Sequence, residues 1–170
     1  RSMVGLIPLY AVERLELDWL QQFPEFNSNL NWFLNNRTAL VERCISRINH
    51  PQGETLALTI VDRGQLERML QWLCDRDEFL SDFGLRSLSR AHLEHPFRLG
   101  HSEVGYEPGE ADCKIKGGNS TWRGPTWFPT AFLMIESLRK LGKAHGKHLT
   151  ITDKTGRVWT IDEIAAEHAN

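Results

Sequence analysis

Cysteine is scarce in this sequence: Cys44, Cys74 and Cys113 are three among 170 residues, and they are scattered. An odd, scattered set builds no disulfide framework and favours a reducing compartment, so the expected location is cytoplasmic. Long apolar runs are lacking too. None approaches the roughly 18 residues that span a bilayer, and no signal peptide is visible, so no membrane partner is expected. Neither sign of charge dominates: Lys and Arg total 20 against 22 Asp and Glu, a net charge of −2. That leaves no basic footprint for nucleic acid. Walker and dinucleotide-binding glycine patterns are missing, as is a nucleophile elbow, and no cofactor is expected. Among the seven histidines, His92, His95 and His101 with Cys113 could be gathered into a zinc set. No Cys-x-x-Cys or His-Glu-x-x-His spacing supports it, and solvated or capping histidines are the better reading. His145 and His148, in a Lys- and Gly-rich turn, read as surface.

What remains is an ordinary globular composition, 41% hydrophobic and 25% charged, at a length of about one domain with a real core. No repeat, low-complexity segment or linker divides residues 1–170, which read as a single domain. The stretch that organises the chain is Lys116 to Leu141, KGGNSTWRGPTWFPTAFLMIESLRKL. Gly117 and Gly118 open it with a turn. Pro125 suits a first helical turn, and Ala131, Phe132, Met134, Ile135, Leu138 and Leu141 recur at helical spacing. Trp122, Arg123 and Trp127 thus stand at a loop-to-helix entrance, where binding groups concentrate. An indole offers a flat apolar face and one donor; a guanidinium offers a rigid fork of donors. Together they suit a sugar, a flat cation or a carboxylate of the same protein. Equally, the indoles belong to the core and Arg123 satisfies buried carbonyls.

In chain order, Val4 to Glu13 predicts a buried helix with Pro8 near its first turn. Asp18 caps a short helix carrying Trp19 and Leu20. Pro24 opens another with Phe26, Leu30, Phe33 and Leu34 on one face, ended by Asn35-Asn36. Arg37 to Cys44 reads as short helix or irregular, and Pro51 with Gly53 makes a turn. Thr55 to Val61 reads as a strand, and Asp62 caps a helix holding Leu66, Met69, Leu70, Trp72 and Leu73. Glu78 to Leu88 is a connection, Ser89 to His95 a short helix stopped before Pro96, and Phe97 to Tyr106 extended. Gly142 and Gly146 punctuate. Leu149–Thr152 and Arg157–Thr160 form a hairpin about Asp153 to Gly156, and Thr160 with Glu163 caps a last helix.

Glu103, Glu107, Glu110 and Asp112 make an acidic loop before the Trp-Arg cluster. Two carboxylates facing across a sugar are what glycoside hydrolysis needs. A solvated loop, or partners for Arg123 and Arg86, is the plainer reading.

Three strings carry a family resemblance: Arg1 to Leu9 (RSMVGLIPL), Phe79 to Ser89 (FLSDFGLRSLS) and Gly117 to Pro125 (GGNSTWRGP). They resemble glycoside hydrolase family 63, the mannosyl-oligosaccharide glucosidases and their bacterial relatives, over nearly the whole chain. Trp-Arg-Gly-Pro followed by Trp is the most specific mark. The resemblance implies a mainly α fold, a late portion of an (α/α)6 toroid with a few short strands and a small hairpin. It implies inverting, exo-acting hydrolysis of α-glycosidic bonds in an oligosaccharide or small glycoside. By position it places Trp122, Arg123, Gly124 and Trp127 on the sugar-binding wall, with Tyr106, Glu107 and Asp82 as looser candidates. The family's general acid and base are implied to lie before and after this region, so the catalytic residues are expected outside this chain.

Val4 to Val12 is apolar with no cap before it, and Ile164 to Asn170 stops within a helical pattern. A piece of a larger domain, inactive alone and prone to self-association, is therefore expected. The alternative from a different class is a non-catalytic α-helical module that binds carbohydrate or serves as scaffold.

Overall fold

The computed structural model describes residues 1–51, 53–109 and 122–169. The turn expected at Gly117-Gly118, with Glu110, Asp112 and Cys113, lies outside the described residues.

The apolar N-terminal segment is a 3-10 helix, Met3–Tyr10, with Pro8 inside it. Met3, Leu6 and Leu9 are buried while Val4 and Ile7 are exposed. Residues three apart eclipse in a 3-10 helix, so this spacing gives one narrow buried edge. The buried helix expected from Val4 to Glu13 is corrected on both counts, because half its apolar residues face outward and its end is strand β1, Glu13–Glu16. Asp18 lies in the first turn of α1, Leu17–Leu20, rather than at its cap, which is Glu16. Helix α2, Pro24–Asn36, starts on its proline as expected but buries no residue. Helix α3, Thr38–Cys44, leads into β2, Ile45–His50, and β3 is Gly53–Leu58. β3 is the central strand of an antiparallel sheet ordered β1-β3-β2, with Leu56 opposite both Leu15 and Arg47. β1 (ERLE) and β2 (ISRINH) were not legible as strands, because charged edge strands lack the apolar alternation of a half-buried one.

Helix α4, Arg63–Cys74, carries a full capping box between Asp62 and Gln65. Each side chain there satisfies a backbone donor that the helix itself leaves free. A small hairpin follows, β4 (Leu80–Ser81) with β5 (Gly84–Leu85). Ser89 caps a 3-10 turn, Arg90–Leu93. The antiparallel pair β6 (Phe97–Leu99) and β7 (Ser102–Val104) is exposed at all six positions and turns through Gly100.

The predicted central helix is α5, Phe128–His145. Its first-turn proline is Pro129, not Pro125, which precedes a bridge from Thr126 to Arg86. Ala131, Met134, Leu138 and Leu141 form its buried stripe, and Phe132 points to solvent. Gly142 does not end this helix. It lies within it, where a Cβ would stand 2.3 Å from Asp162 Oδ1, and it admits the close approach of α6, Ile161–Glu167. His145 is also corrected: it is buried, while His148 is exposed. The expected hairpin is β8, Thr150–Thr152, with β9, Val158–Thr160, and the Thr160–Glu163 capping box opens α6. Asp153 locks the hairpin turn, accepting from Trp159 Nε1 at 2.8 Å and from the backbone N–H of Thr155 and Arg157.

The main core gathers α4, α5 and α6 with the 3-10 segment and the β8–β9 hairpin, through Leu6, Leu70, Leu73, Phe79, Met134 and Trp159 among others. The three-stranded sheet rests on the end of α5 through a small separate cluster, Ile48, Ala57 and Ala144. Helix makes up about half of the described residues, and short strands are more numerous than the sequence suggests. No described helix is long and apolar enough to cross a membrane.

Candidate functional site

Three segments far apart in sequence are stitched together at the start of α5. The Ser87 hydroxyl accepts from the Gly124 N–H at 3.0 Å, and the Ser87 N–H donates to the Pro125 carbonyl at 3.2 Å. Arg86 and Thr126 form an antiparallel bridge. The third segment is tied in where the Glu107 N–H donates to the Arg123 carbonyl at 2.6 Å and the Tyr106 N–H to the His92 carbonyl at 3.2 Å. Backbone polar groups that pair across segments fix their relative position.

These contacts leave an open cleft of ≈ 450 Å³, lined by residues that include Asp82, Arg86, Tyr106, Gly124 and Thr126. Tyr106 forms one wall and is fixed from two sides. Arg86 Nε donates to its hydroxyl at 3.0 Å, while Arg86 Nη1 donates to the carbonyls of Arg76, at 2.9 Å, and Leu80. Gly124, at φ 137°, lies against the ring. Ser81, whose hydroxyl donates to the Gly84 carbonyl at 2.7 Å, lines the cleft beside Asp82 and Phe83. Phe83 is 84% exposed. The cleft therefore presents an apolar ring, hydroxyls and one carboxylate, the mixture that binding sites use to hold and orient a small ligand.

Three of the residues singled out from sequence, Asp82, Tyr106 and Gly124, line this cleft. The other four form an adjoining group. The Trp122 and Trp127 rings lie 4.5 Å apart between centroids, tilted by 45°. Arg123 Nη1 donates to both carboxylate oxygens of Glu107 at 2.9 Å. The guanidinium thus meets a carboxylate of its own protein, one of the alternatives left open by residue type. Asp82 pairs with Arg76, which also reaches Glu167 at 3.2 Å. Arg86, Ser81, Phe83 and Thr126 escaped the sequence reading as site residues. The string FLSDFGLRSLS held three of them, but nothing in residue type marks Phe83 as exposed.

The metal set considered from sequence is not assembled among the described residues, where no group of three or more His, Cys, Asp or Glu is placed to hold an ion. His92 Nδ1 faces the His95 carbonyl at 2.9 Å, and Cys113 is outside the described residues.

Comparison with known proteins gives two findings. The glycosyl hydrolase family 63 C-terminal domain matches residues 55–160. The uncharacterised protein YMR196W of Saccharomyces cerevisiae is 42% identical over 161 residues, and the match covers 92% of this chain and 15% of the yeast protein. The chain thus spans 15% of the length of the curated relative it matches. No solved structure matches.

Proposed function

The chain belongs to glycosyl hydrolase family 63, and from that premise we propose that it supplies the sugar-binding wall of an inverting, exo-acting α-glycosidase of the α-glucosidase kind, working within a longer, cytoplasmic protein. The observation that carries this reading is the convergence of Asp82, Tyr106 and Gly124 on one cleft, with Trp122 beside it and 43% exposed. An aromatic face takes the C–H side of a pyranose, and hydroxyls and carboxylate take its hydroxyl groups.

Inversion needs an acid on the leaving oxygen and a base on a water across the ring, the two carboxyls about 6.5–9.5 Å apart. Asp82 and Glu107 do not have those roles in this reading. Glu107 has both oxygens on the Arg123 guanidinium, and Asp82 is paired with Arg76. Their work is positioning, and the acid and base come from other parts of the longer protein. α4, α5 and α6 are read as part of an (α/α)6 ring. The exposed Phe128, Phe132 and Leu133 on α5, and an α2 without a buried residue, fit helices whose remaining neighbours belong to that ring.

The test is hydrolysis of an α-linked glucoside by the complete protein, followed by proton NMR during the first turnovers. The expected first product is the β-anomer. An α-anomer first product overturns inversion, and no turnover on any α-glucoside overturns the glycosidase reading.

A further inference from the structure

The polar groups lining the cleft at Tyr106 differ in how far they are already committed. Three hydroxyls among its described residues line it, those of Ser81, Tyr106 and Thr126. Ser81 is occupied within its own hairpin: its hydroxyl donates to the Gly84 carbonyl at 2.7 Å and accepts from the Phe83 N–H at 3.1 Å. The Tyr106 hydroxyl accepts from Arg86 Nε at 3.0 Å, which takes up its acceptor side. Among the described residues, Thr126 Oγ1 has no hydrogen-bonding neighbour closer than Ser81 Oγ, at 3.5 Å. That is beyond the roughly 2.5–3.0 Å of an O–H···O hydrogen bond, and the one proton of Ser81 is already on Gly84. Of the three hydroxyls, Thr126 alone keeps both its proton and its lone pairs unspent.

That hydroxyl is also held in direction. The Thr126 backbone is paired with Arg86 in an antiparallel bridge, and Gly124 and Pro125 before it are tied to Ser87. A β-branched side chain has few χ1 choices. The Thr126 methyl lies on the Gly84 side, since a Cβ built on Gly84 would stand 3.5 Å from Thr126 Cγ2, an ordinary contact. With the methyl packed there, Oγ1 is turned towards Ser81 and the cleft that the two residues share. A free hydroxyl on a fixed carbon distinguishes one orientation of a ligand hydroxyl from another, because its position is set before the ligand arrives.

We propose that Thr126 is the specificity-determining residue of this cleft, its Oγ1 hydrogen-bonding one hydroxyl of a glucose unit whose C–H side rests on Tyr106. The role rests on the sugar-binding reading of the cleft and narrows it to one atom. The other polar groups are less suited to it. Asp82 can only accept and is paired with Arg76, and Arg86 can only donate and already holds Tyr106 and the carbonyls of Arg76 and Leu80. A sugar hydroxyl both gives and accepts a proton, and Thr126 can meet it in either sense. Thr126→Val keeps the branched shape and the methyl beside Gly84, and removes only the hydroxyl.

The experiment is titration calorimetry of the complete protein with glucose and with the set of its monodeoxy analogues, for wild type, Thr126→Val and Thr126→Ser. Thr126→Val should weaken glucose binding about three- to tenfold, the scale of one lost hydrogen bond, with the melting temperature unchanged. Against one analogue, the one lacking the hydroxyl that Thr126 reads, wild type and Thr126→Val should bind alike, while against the others the loss should persist. Thr126→Ser, which keeps the hydroxyl, should bind nearly as wild type does. A merely structural role would weaken every analogue by the same factor. That result overturns the proposal, as does a Thr126→Val variant that matches wild type across the whole set, or a Thr126→Ser variant as weak as Thr126→Val. In each of those cases wild type still binds sugar and the sugar-binding reading of the cleft stands. A wild type that binds none of these sugars overturns that reading and the role of Thr126 together.

Discussion

The ring of Tyr106 occupies the space a side chain at position 124 would need: a Cβ on Gly124 would lie 2.4 Å from Tyr106 Cε2. Gly124 also sits at φ 137°, where L side chains are strained. Gly124→Ala is therefore expected to destabilise by roughly 2–4 kcal/mol, combining backbone strain with overpacking. Tyr106→Ala in the same chain should recover the overpacking part, because it vacates the space. Denaturant melts of both single variants and the double variant measure that coupling, and strict additivity would show that the two residues do not meet.

Arg123→Ala in the complete protein is expected to lower kcat/KM by about ten- to a hundredfold, the scale of a lost charge-assisted hydrogen bond of roughly 1.5–3 kcal/mol. Its melting temperature should fall much less. Unchanged kinetics in a folded variant would remove Arg123 from the binding wall.

Glu107→Gln keeps the shape of the Arg123 partner and removes its charge. Measurable turnover is expected to remain, and the same holds for Glu110→Gln. Abolished turnover with normal folding and normal substrate binding would place a catalytic carboxylate within these residues.

Acid should loosen the fold through two histidines. His145 and His168 are both held near 4, chiefly by burial, against an ordinary value of 6.5. Above about 6.5 neither the folded nor the unfolded state carries these protons, so stability there does not depend on them. As pH falls from 6.5 towards 4 the unfolded chain takes up the protons and the folded one resists, so stability declines, then levels off below 4. Each histidine contributes up to roughly 3–3.5 kcal/mol over that window, at about 1.36 kcal/mol per pH unit. Urea melts at pH 7, 5.5 and 4.5 should follow that slope, and His168→Gln should flatten it. A pH-independent midpoint from 7 to 4.5 contradicts this.

Residues 1–170 made alone are expected to lack glucosidase activity and to associate or aggregate. Phe83 and Phe128 are more than 80% exposed, at 84% and 82%, and Trp19, Phe26 and Trp32 stand out on α1 and α2. Exposed apolar area contributes about 25 cal/mol per Å², so a few hundred Å² left open is comparable to a domain's stability of about 5–15 kcal/mol. Sedimentation with an α-glucoside assay decides it; a stable, active monomer contradicts the expectation.

Helices with an apolar stripe and a capping signal were legible. α4, α5 and α6 stand where Asp62, the Ala131-to-Leu141 spacing and Thr160 with Glu163 point. The β8–β9 hairpin was legible for the same reason, since Asp153 to Gly156 is turn chemistry. Features set by long-range pairing were not. β1 and β2 exist because β3 lies between them, and His145 is buried because the sheet closes over the end of α5. The site divides in the same way. Trp122 to Trp127 announced itself by residue type. Arg86 matters through what it reaches, Tyr106 twenty positions later, and no local pattern carries that.

The exposed β6–β7 hairpin has a consequence for how the protein can change. The walls of the cleft are joined by residues 86–87 and 106–107 to residues 123–126, and the hairpin tip at 99–102 takes part in none of those bonds. Exposed tips tolerate insertion when the backbone pairs beneath them are kept. The hairpin is thus a graft point. Length or sequence added at Gly100 can acquire new specificity or a new attachment while Tyr106 stays where Arg86 and Gly124 hold it.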